Sequence, residues 1–311
     1  MFLIAGSSGY VGKSLISLLN SQNEDFYSIH ISSDPKTSHN RNFLVKDRNL
    51  NTVEKGNARK ISKTLKLLGI TEIINLAADT SKDASEISRK NLIKANFDYN
   101  RELIEISISS EIKNFHFTST YSSTNDGIEF LPQTFYAGTK FLAEKLLETY
   151  AVCGLINVSI IEVFDIYGPL QPHKRLVNYC LDSLLNNTKI YISSGEQEIN
   201  LINVSDVCLG IYRIAYSQIE NPKPLIHFSL YSDEIFKVKD VPLIIAKYLK
   251  IPLTNDQISH SKDSRDREIM LFKPRFNRPE YWKETFTLEK GVEQMVQKIS
   301  TINETGQKKN V

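Results

Sequence analysis

The chain has 311 residues, a formal net charge of +2 at pH 7 and 41% hydrophobic residues, enough for one large domain or two smaller ones. The nearly balanced charge gives no footprint for binding nucleic acid or an anionic membrane surface, and no apolar run is long enough to span a membrane. The three cysteines are widely spaced and the histidines show no metal-ligand spacing. These features predict a cytoplasmic protein with neither a disulfide framework nor a metal site. The early glycine turn also leaves no room for a signal peptide.

The chain begins with a buried strand, Phe2 to Ala5, which leads through a glycine turn into an amphipathic helix from Lys13 to about Asn20. This order is typical of a dinucleotide-binding turn. The first glycine of the G-x-x-G-x-x-G pattern permits a tight turn, the second lets the backbone approach a pyrophosphate, and the third lets the helix pack on the strand. The helix N-terminus supplies N–H groups for the phosphates. The predicted cofactor contacts in this turn are Gly6, Ser8, Gly9, Tyr10, Val11 and Gly12.

The second strand, Phe26 to Ile31, ends in Ser32 and Ser33. An acidic residue at this strand end would hold the ribose 2′-hydroxyl and favour NAD. Here Asp34 lies beyond the tip, and the two hydroxyls with Lys36 or Arg41 nearby could accept a 2′-phosphate. We therefore predict an NAD(P) cofactor, with NADPH favoured. The alternative is that the two serines are only turn residues.

A helix from about Ala58 to Leu68 is followed by a strand from Glu72 to Leu76 and then by Ala77 and Ala78. The two small residues at this strand end allow a flat ligand to lie close, so Leu76, Ala77 and Ala78 are predicted cofactor contacts. The alternative is that the alanines only pack in the core. A long helix from about Ile87 to Ser109 follows, and Asn96 in its middle is expected to bond a neighbouring loop.

The central stretch carries the predicted chemistry. A strand, Phe115 to Phe117, delivers Ser119 and Thr120 to a strand end, and Tyr136 and Lys140 begin the next helix at i and i+4 on one face. An ammonium beside a phenol favours the phenolate and lowers the tyrosine pKa. Tyr136 is thus the predicted acid/base of a carbonyl–alcohol interconversion, and Thr120, rather than Ser119, is predicted to hold the reacting oxygen. A Tyr-x-x-x-Lys pair alone is common on exposed helices and is a weak signal. The glycine turn at the start of the chain strengthens the interpretation of this pair as catalytic.

The alternation of strands and helices predicts an α/β fold with a doubly wound parallel (Rossmann) sheet and a smaller C-terminal substrate-binding domain. We expect residues 1–168 to form the NAD(P)-binding domain, with 203–231 returning to it. Residues 169–202 and 232–300 are expected to form a lid, and 301–311 a disordered tail. Ligands bind beyond the carboxyl ends of such strands, so Phe164, which follows the strand Val158 to Val163, is a further predicted cofactor contact.

Several motifs together resemble the extended short-chain dehydrogenases/reductases of the NAD-dependent epimerase/dehydratase family over nearly the whole chain. They are Gly6-Ser-Ser-Gly9-Tyr-Val-Gly12, Asn75-Leu-Ala-Ala78, Thr118-Ser-Thr120, Tyr136-x-x-x-Lys140, Tyr167-Gly-Pro169 and Asn203-Val-Ser-Asp-Val207. The resemblance implies a nucleotide-sugar substrate, a bond from Lys140 to the nicotinamide ribose, and a homodimer formed through the long helices.

A narrower resemblance concerns the short segment between Thr120 and Tyr136, with Gly195-Glu-Gln197 and the region of Arg265. It is to nucleotide-sugar 4-ketoreductases of the CDP-abequose synthase type. Dehydratases of the family carry Asp-Glu after the active-site Thr, whereas Tyr121-Ser122 stands here. Glu198-Ile199-Asn200 replaces a region that usually holds a phosphate-binding Arg, and Asp165 replaces a usual Asn. The implied substrate contacts are Thr120, Tyr121, Asp165, Arg175 and Arg265.

These observations predict an NAD(P)H-dependent reductase of a 4-keto nucleotide sugar, in deoxysugar synthesis for a surface polysaccharide. A nucleotide-sugar 4-epimerase with tightly bound NAD would use the same residues. The third hypothesis is a non-catalytic dinucleotide-binding protein. It stays open because the region that usually binds the substrate phosphates departs from the family pattern.

Overall fold

The structure is a computed structural model that describes residues 1–32, 42–81, 83, 85–124, 129–172, 175–192, 195–253, 257–260 and 272–304. Its strands are β1 (Phe2–Ala5), β2 (Phe26–Ser32), β3 (Asn42–Lys46), β4 (Thr52–Gly56), β5 (Glu72–Asn75), β6 (Asn114–Thr120), β7 (Asn157–Val163), β8 (Asp165–Tyr167), β9 (Ile190–Ile192), β10 (Glu198–Asn203), β11 (Leu225–Leu230), β12 (Ile235–Lys237) and β13 (Ile258–His260). Its α-helices are α1 (Tyr10–Ser21), α2 (Ala58–Leu67), α3 (Glu86–Ile93), α4 (Tyr99–Ser109), α5 (Phe135–Val152), α6 (Leu176–Leu185), α7 (Val204–Glu220), α8 (Val241–Leu249) and α9 (Leu288–Glu304).

The main sheet has the strand order β11-β7-β6-β5-β1-β2-β3-β4. The pairs β1–β2, β1–β5, β5–β6 and β6–β7 are parallel, as predicted. The chain passes from β1 to β2 on one side and later to β5 on the other, so a topological switch point lies between β1 and β5. The carboxyl ends of strands at such a point bind ligands in this class of fold. The doubly wound α/β fold is confirmed.

One edge of this sheet differs from the expected parallel arrangement. β3 pairs antiparallel with β2, and β4 pairs antiparallel with β3. The turn between β3 and β4 is held by the Asp47 carboxylate, which accepts hydrogen bonds from the N–H groups of Asn49 and Asn51. A five-residue strand followed by a compact turn favours a meander over a helical crossover.

The two faces of the sheet are covered by different helices. Leu3 of β1 belongs to a buried cluster that includes Leu65 of α2, Leu103 of α4 and Leu147 of α5. Its neighbour Phe2 meets α7 instead, and its ring centroid lies 6.4 Å from that of Tyr212. Adjacent strand residues point to opposite faces, which explains this division.

The long helix predicted from Ile87 to Ser109 is present, but its middle is not regular. α3 and α4 are joined by a π-helical turn, Lys94–Asp98. Asn96, inside this turn, is buried and bonds a neighbouring loop as expected. It accepts a hydrogen bond from the Asp79 N–H at 2.8 Å and donates to the Asp79 carbonyl at 2.9 Å. A π-turn rotates one side chain out of helical register, and such turns are frequent at functional sites.

Two compact units divide the chain. The first comprises residues 1–163, 208–229 and 275–282, and the second comprises 164–207, 230–274 and 283–311. Compared with the expected domains, residues 164–168, 203–207 and 230–231 group with the second unit, and 275–282 group with the first.

The second unit has its own core. A small sheet, β12-β10-β8, accompanies α6, α8 and α9, with the cluster of Tyr167, Leu181, Leu201, Ile245 and Val292 buried between them. Gly291 allows Tyr167 to approach α9, since a Cβ at Gly291 would lie 2.2 Å from the tyrosine hydroxyl. Among the described helices, none combines the length and apolar character needed to cross a membrane.

Candidate active site

The glycine turn forms a narrow cradle between β1 and α1. Gly6 has a φ of +80°, which favours glycine, and a Cβ there would lie 2.6 Å from the Ala77 N atom. A Cβ at Gly12 would lie 2.2 Å from the Gly6 carbonyl oxygen. The glycine turn, the start of α1 and the loop after β5 approach one another so closely that neither Gly6 nor Gly12 has room for a side chain.

The start of α1 presents backbone N–H groups to this cradle. Gly9 is the N-cap of the helix, and Ser8 and Gly9 are exposed. The first N–H groups of a helix, here those of Tyr10 and Val11, have no partner within the helix. Together with the helix dipole they can hold the phosphates of a dinucleotide. The predicted contacts from Gly6 to Gly12 thus lie in one continuous turn.

The loop after β5 is joined to the end of β1 by a backbone hydrogen bond, and the Asn75 side chain holds the loop itself in shape. Leu76 donates its N–H to the Ala5 carbonyl at 2.9 Å, and the Ala77 N–H donates to Asn75 Oδ1 at 3.1 Å. Ala77 is half-buried and Ala78 is exposed. The three predicted contacts Leu76, Ala77 and Ala78 therefore line the β1–β5 switch point.

Tyr136 and Lys140 lie in the first turns of α5. The helix begins at Phe135, and its N-cap Thr134 accepts a hydrogen bond from the Ala137 N–H at 3.1 Å. Tyr136 is half-buried, whereas Lys140 is only 1% exposed. The two side chains share one helical face, as the spacing predicts.

The Lys140 ammonium has an unusual environment. Its Nζ lies 4.0 Å from the centre of the Phe117 ring on β6, and no described residue makes a hydrogen bond to it. Burial lowers the pKa of Lys140 to about 7, against the opposing effect of Glu144. A buried ammonium without hydrogen bonds is costly, so a ligand that supplies acceptor oxygens would stabilise it.

The residues of the first unit fit a dinucleotide cofactor on two observations: the glycine cradle, which a side chain would fill, and the buried Lys140 ammonium. The cradle would hold the pyrophosphate, and Lys140 would hold ribose hydroxyls beside Tyr136.

Ser119 and Thr120 are placed differently, although they are neighbours on β6. Ser119 is buried and donates to the Glu144 carboxylate at 2.5 Å. The Thr120 hydroxyl instead lies 2.9 Å from the Ser122 hydroxyl in the turn that contains Tyr121. Since adjacent strand residues point to opposite faces, the two hydroxyls cannot serve one substrate atom equally. The geometry favours Thr120 for a substrate contact and Ser119 for a supporting one.

Behind Ser119 lies a buried ion cluster that the sequence analysis missed. Arg275 binds both oxygens of Glu144, at 2.8 and 2.9 Å, and its Nε donates to Glu162 at 2.5 Å. Both carboxylates are fully buried, and Ser229 donates to Glu162 at 2.6 Å. Burial opposes the charge of Arg275, but Glu144 and then Glu162 outweigh it and raise the arginine pKa. The cluster fixes the side of α5 that carries Lys140.

Only part of this cluster had a signal in the sequence. Glu144 follows Lys140 by four residues, on the same helical face. Glu162 and Arg275 are 113 positions apart and carry no local pattern that would join them.

The remaining predicted contacts lie in the second unit, at the end of β2 or outside the described residues. Phe164 is buried, with its ring centroid 4.8 Å from that of Phe272. Asp165 begins β8 and is half-buried, and Arg175 is the exposed N-cap of α6. Ser32 ends β2, and its side chain is not among those described. Ser33 and Arg265 lie outside the described residues.

Two relatives and one solved structure show what this chain is similar to. CDP-abequose synthase of Yersinia pseudotuberculosis is 25% identical over 249 residues, which cover 78% of this chain and 82% of the relative. ADP-L-glycero-D-manno-heptose-6-epimerase of Brachyspira hyodysenteriae is 21% identical over 222 residues, covering 67% of this chain and 69% of the relative. Among solved structures, MoeE5 in complex with UDP-glucose and NAD superposes with a TM-score of 0.76. It is 16% identical, with 96% of this chain and 98% of that chain covered.

The family comparison covers most of the chain. The model for the NAD dependent epimerase/dehydratase family matches residues 2–226, which include the glycine turn, the β5 loop, Thr120, Tyr136 and Lys140. The chain therefore belongs to the NAD dependent epimerase/dehydratase family.

Proposed function

We propose that this protein reduces the C4 carbonyl of a 4-keto nucleotide sugar with NAD(P)H. The observation that carries the proposal is the buried Lys140 ammonium, which lacks a hydrogen-bond partner among the described residues and lies one helical turn from Tyr136. This arrangement suits a proton-transfer site that a cofactor ribose completes. The reductive direction follows from the resemblance of the sequence motifs to nucleotide-sugar 4-ketoreductases of the CDP-abequose synthase type, and a CDP-abequose synthase is 25% identical to this chain.

In this reaction Tyr136, Lys140 and Thr120 would each have a separate role. When bound, the reduced nicotinamide supplies a hydride to the carbonyl carbon. Tyr136 donates its phenolic proton to the carbonyl oxygen, which leaves an alcohol on the sugar and a phenolate on the enzyme. The positive Lys140 ammonium stabilises that phenolate, and the Thr120 hydroxyl donates a hydrogen bond to the reacting oxygen.

Elimination of water is disfavoured by the residues that follow Thr120. The turn Tyr121–Ser123 contains a phenol and two hydroxyls but no carboxyl group. A dehydratase needs an acid and a base to remove a hydroxyl and a neighbouring proton. This supports reduction or epimerisation over dehydration.

A nucleotide-sugar 4-epimerase is the second candidate function. It would use Thr120, Tyr136 and Lys140 in the same way but return the hydride to the sugar. An epimerase of a nucleotide-linked heptose is 21% identical to this chain, which supports epimerisation as an alternative.

One experiment separates the candidates. The purified protein is denatured and its released nucleotides are identified by mass spectrometry; the native protein is then assayed for NADPH and NADH oxidation with CDP-, dTDP- and UDP-linked 4-keto-6-deoxyhexoses. The proposal expects little retained nucleotide and oxidation that depends on the sugar. Stoichiometric NAD with interconversion of C4 epimers would establish the epimerase instead. Binding of a dinucleotide without binding or turnover of any sugar nucleotide would favour the non-catalytic alternative.

A further inference from the structure

His30 is the β2 side chain that lies beside the glycine turn. β2 runs parallel to β1, with Ile29 opposite Ala5, so His30 stands level with the residues that follow Ala5. Its Nε2 lies 3.1 Å from the hydroxyl of Ser7, which belongs to the glycine turn. Ser32 and Ser33, which were predicted from the sequence to contact the cofactor ribose, follow His30 by two and three residues.

The surroundings of His30 contain hydroxyls and a cation. Its Nε2 lies 3.2 Å from the Ser28 hydroxyl, and Ser28 is paired with Lys46 of β3. Within the described residues, no carboxylate makes a hydrogen bond to Ser7, Ser28 or His30, and Nδ1 makes none at all. Burial, with a further contribution from Lys46, lowers the pKa of His30, so the imidazole is neutral near pH 7.

The charge of the residue beside the adenosine ribose distinguishes the two forms of the cofactor in dinucleotide-binding folds. In dinucleotide-binding folds, a carboxylate at the end of the second strand accepts a hydrogen bond from the ribose 2′-hydroxyl. The same carboxylate repels a 2′-phosphate, since like charges at close range are unfavourable. A neutral imidazole can donate an N–H to either group and repels neither.

We infer that His30 is the specificity-determining residue for the adenosine ribose, and that the protein binds NADPH at least as tightly as NADH. The inference rests on the proposed function for the assignment of the glycine turn to a dinucleotide. His30, which contacts the glycine turn, thus takes the role that the sequence prediction gave to the serines at the end of β2.

The test is a calorimetric titration of the full-length protein with NADPH and with NADH, after bound nucleotide has been removed. His30→Asp places a carboxylate at this position, and His30→Asn is the matched variant without charge. We expect the ratio of the NADPH Kd to the NADH Kd to be about tenfold or more higher in the Asp variant than in the Asn variant. Thermal unfolding of each variant checks that it is folded.

A third variant keeps the test decisive if His30→Asp does not fold. His30→Arg places a cation at the same position and is expected to shift the ratio towards NADPH relative to His30→Asn. Equal ratios in the charged and uncharged variants would overturn the inference while leaving the proposed function standing. So would a wild-type protein that binds NADH more than about tenfold tighter than NADPH. Binding of neither cofactor would overturn the inference and the proposed function together.

Discussion

The Lys140 ammonium lies 4.0 Å from the centre of the Phe117 ring and has no hydrogen-bond partner among the described residues. The ring face offers some attraction to a cation, but it does not replace the three acceptors that an ammonium would find in water. The protein therefore holds a cation in a costly place beside Tyr136. Buried ionisable groups with a shifted pKa are common at sites that bind a ligand.

Tyr136→Phe tests the proton donor. Loss of the phenolic oxygen removes general acid catalysis, so turnover should fall by about 10² to 10⁴-fold while cofactor binding stays within about threefold. Tyr150→Phe is the matched control, because Tyr150 lies on the same helix and its hydroxyl bonds Glu105 at the surface. Steady-state kinetics and dinucleotide titration give the two readings. Full turnover by Tyr136→Phe would contradict the assignment.

Lys140→Met tests the cost of the buried cation. The folded-state pKa of Lys140 is lowered from 10.5 to about 7, so between these values the unfolded chain binds a proton that the folded chain does not. The contribution of Lys140 to the free energy of unfolding is therefore most unfavourable below pH 7 and improves as the pH rises. Relative to wild type, cofactor-free Lys140→Met should gain roughly 1–3 kcal/mol more at pH 6 than at pH 9.

Lys145→Met is the control for this pH dependence. Lys145 lies on the same helix with its side chain 47% exposed. Its change in stability should be small and nearly the same at both pH values. Urea unfolding at pH 6 and pH 9 measures both variants, and an identical pH dependence in the two would contradict the lowered pKa of Lys140.

Arg275→Met tests the buried ion cluster. The substitution leaves the carboxylates of Glu144 and Glu162 buried without their shared cation, so the free energy of unfolding should fall by about 3–5 kcal/mol. Adding Glu162→Gln removes one uncompensated charge and should recover part of the loss. Arg101→Met, which removes an arginine whose side chain is 52% exposed, should change stability by less than about 0.5 kcal/mol. Chemical denaturation is the measurement, and a loss no greater than that of Arg101→Met would show that the cluster does not stabilise the fold.

Gly12→Ala tests the cradle. The added Cβ would meet the Gly6 carbonyl oxygen at 2.2 Å, which forces α1 away from β1. We expect a loss of about 1–3 kcal/mol in stability together with weaker dinucleotide binding. Gly138→Ala is the matched change in α5, where the nearest atom to a Cβ is 3.9 Å away. It should stabilise the protein by up to about 1 kcal/mol and leave binding intact. Equal melting temperatures and affinities in the two variants would rule out the close approach at Gly12.

Most of the fold was predicted from patterns that extend over only a few residues. The strand–glycine turn–helix order, the helix that begins near Tyr136 and the long helix around Asn96 all depend on residues within a few positions of one another. The predicted family, its enzymatic nature and its NAD-type cofactor are confirmed by the family model over residues 2–226. The roles of the individual site residues, the choice of NADPH and the reduction of a 4-keto sugar stay predictions.

The sequence did not predict every strand of the main sheet. The antiparallel β3 and β4 were missed because short strands at a sheet edge carry little periodicity. The sequence alone carried no signal for His30, because it does not reveal which strand residue stands level with the glycine turn; the register with β1 does. The contacts predicted for Ser32 and Ser33 stay predictions.

The sequence by itself determined the glycine cradle, the i, i+4 pair Tyr136 and Lys140, and the alternation of strands and helices. These follow from steric limits on backbone angles and from the periods of helix and strand, which act over a few residues. Only the tertiary structure decided that Arg275 joins Glu144 to Glu162, that Ser119 supports α5, and that His30 faces Ser7. Those contacts join residues 23 to 131 positions apart, so they depend on strand order and register.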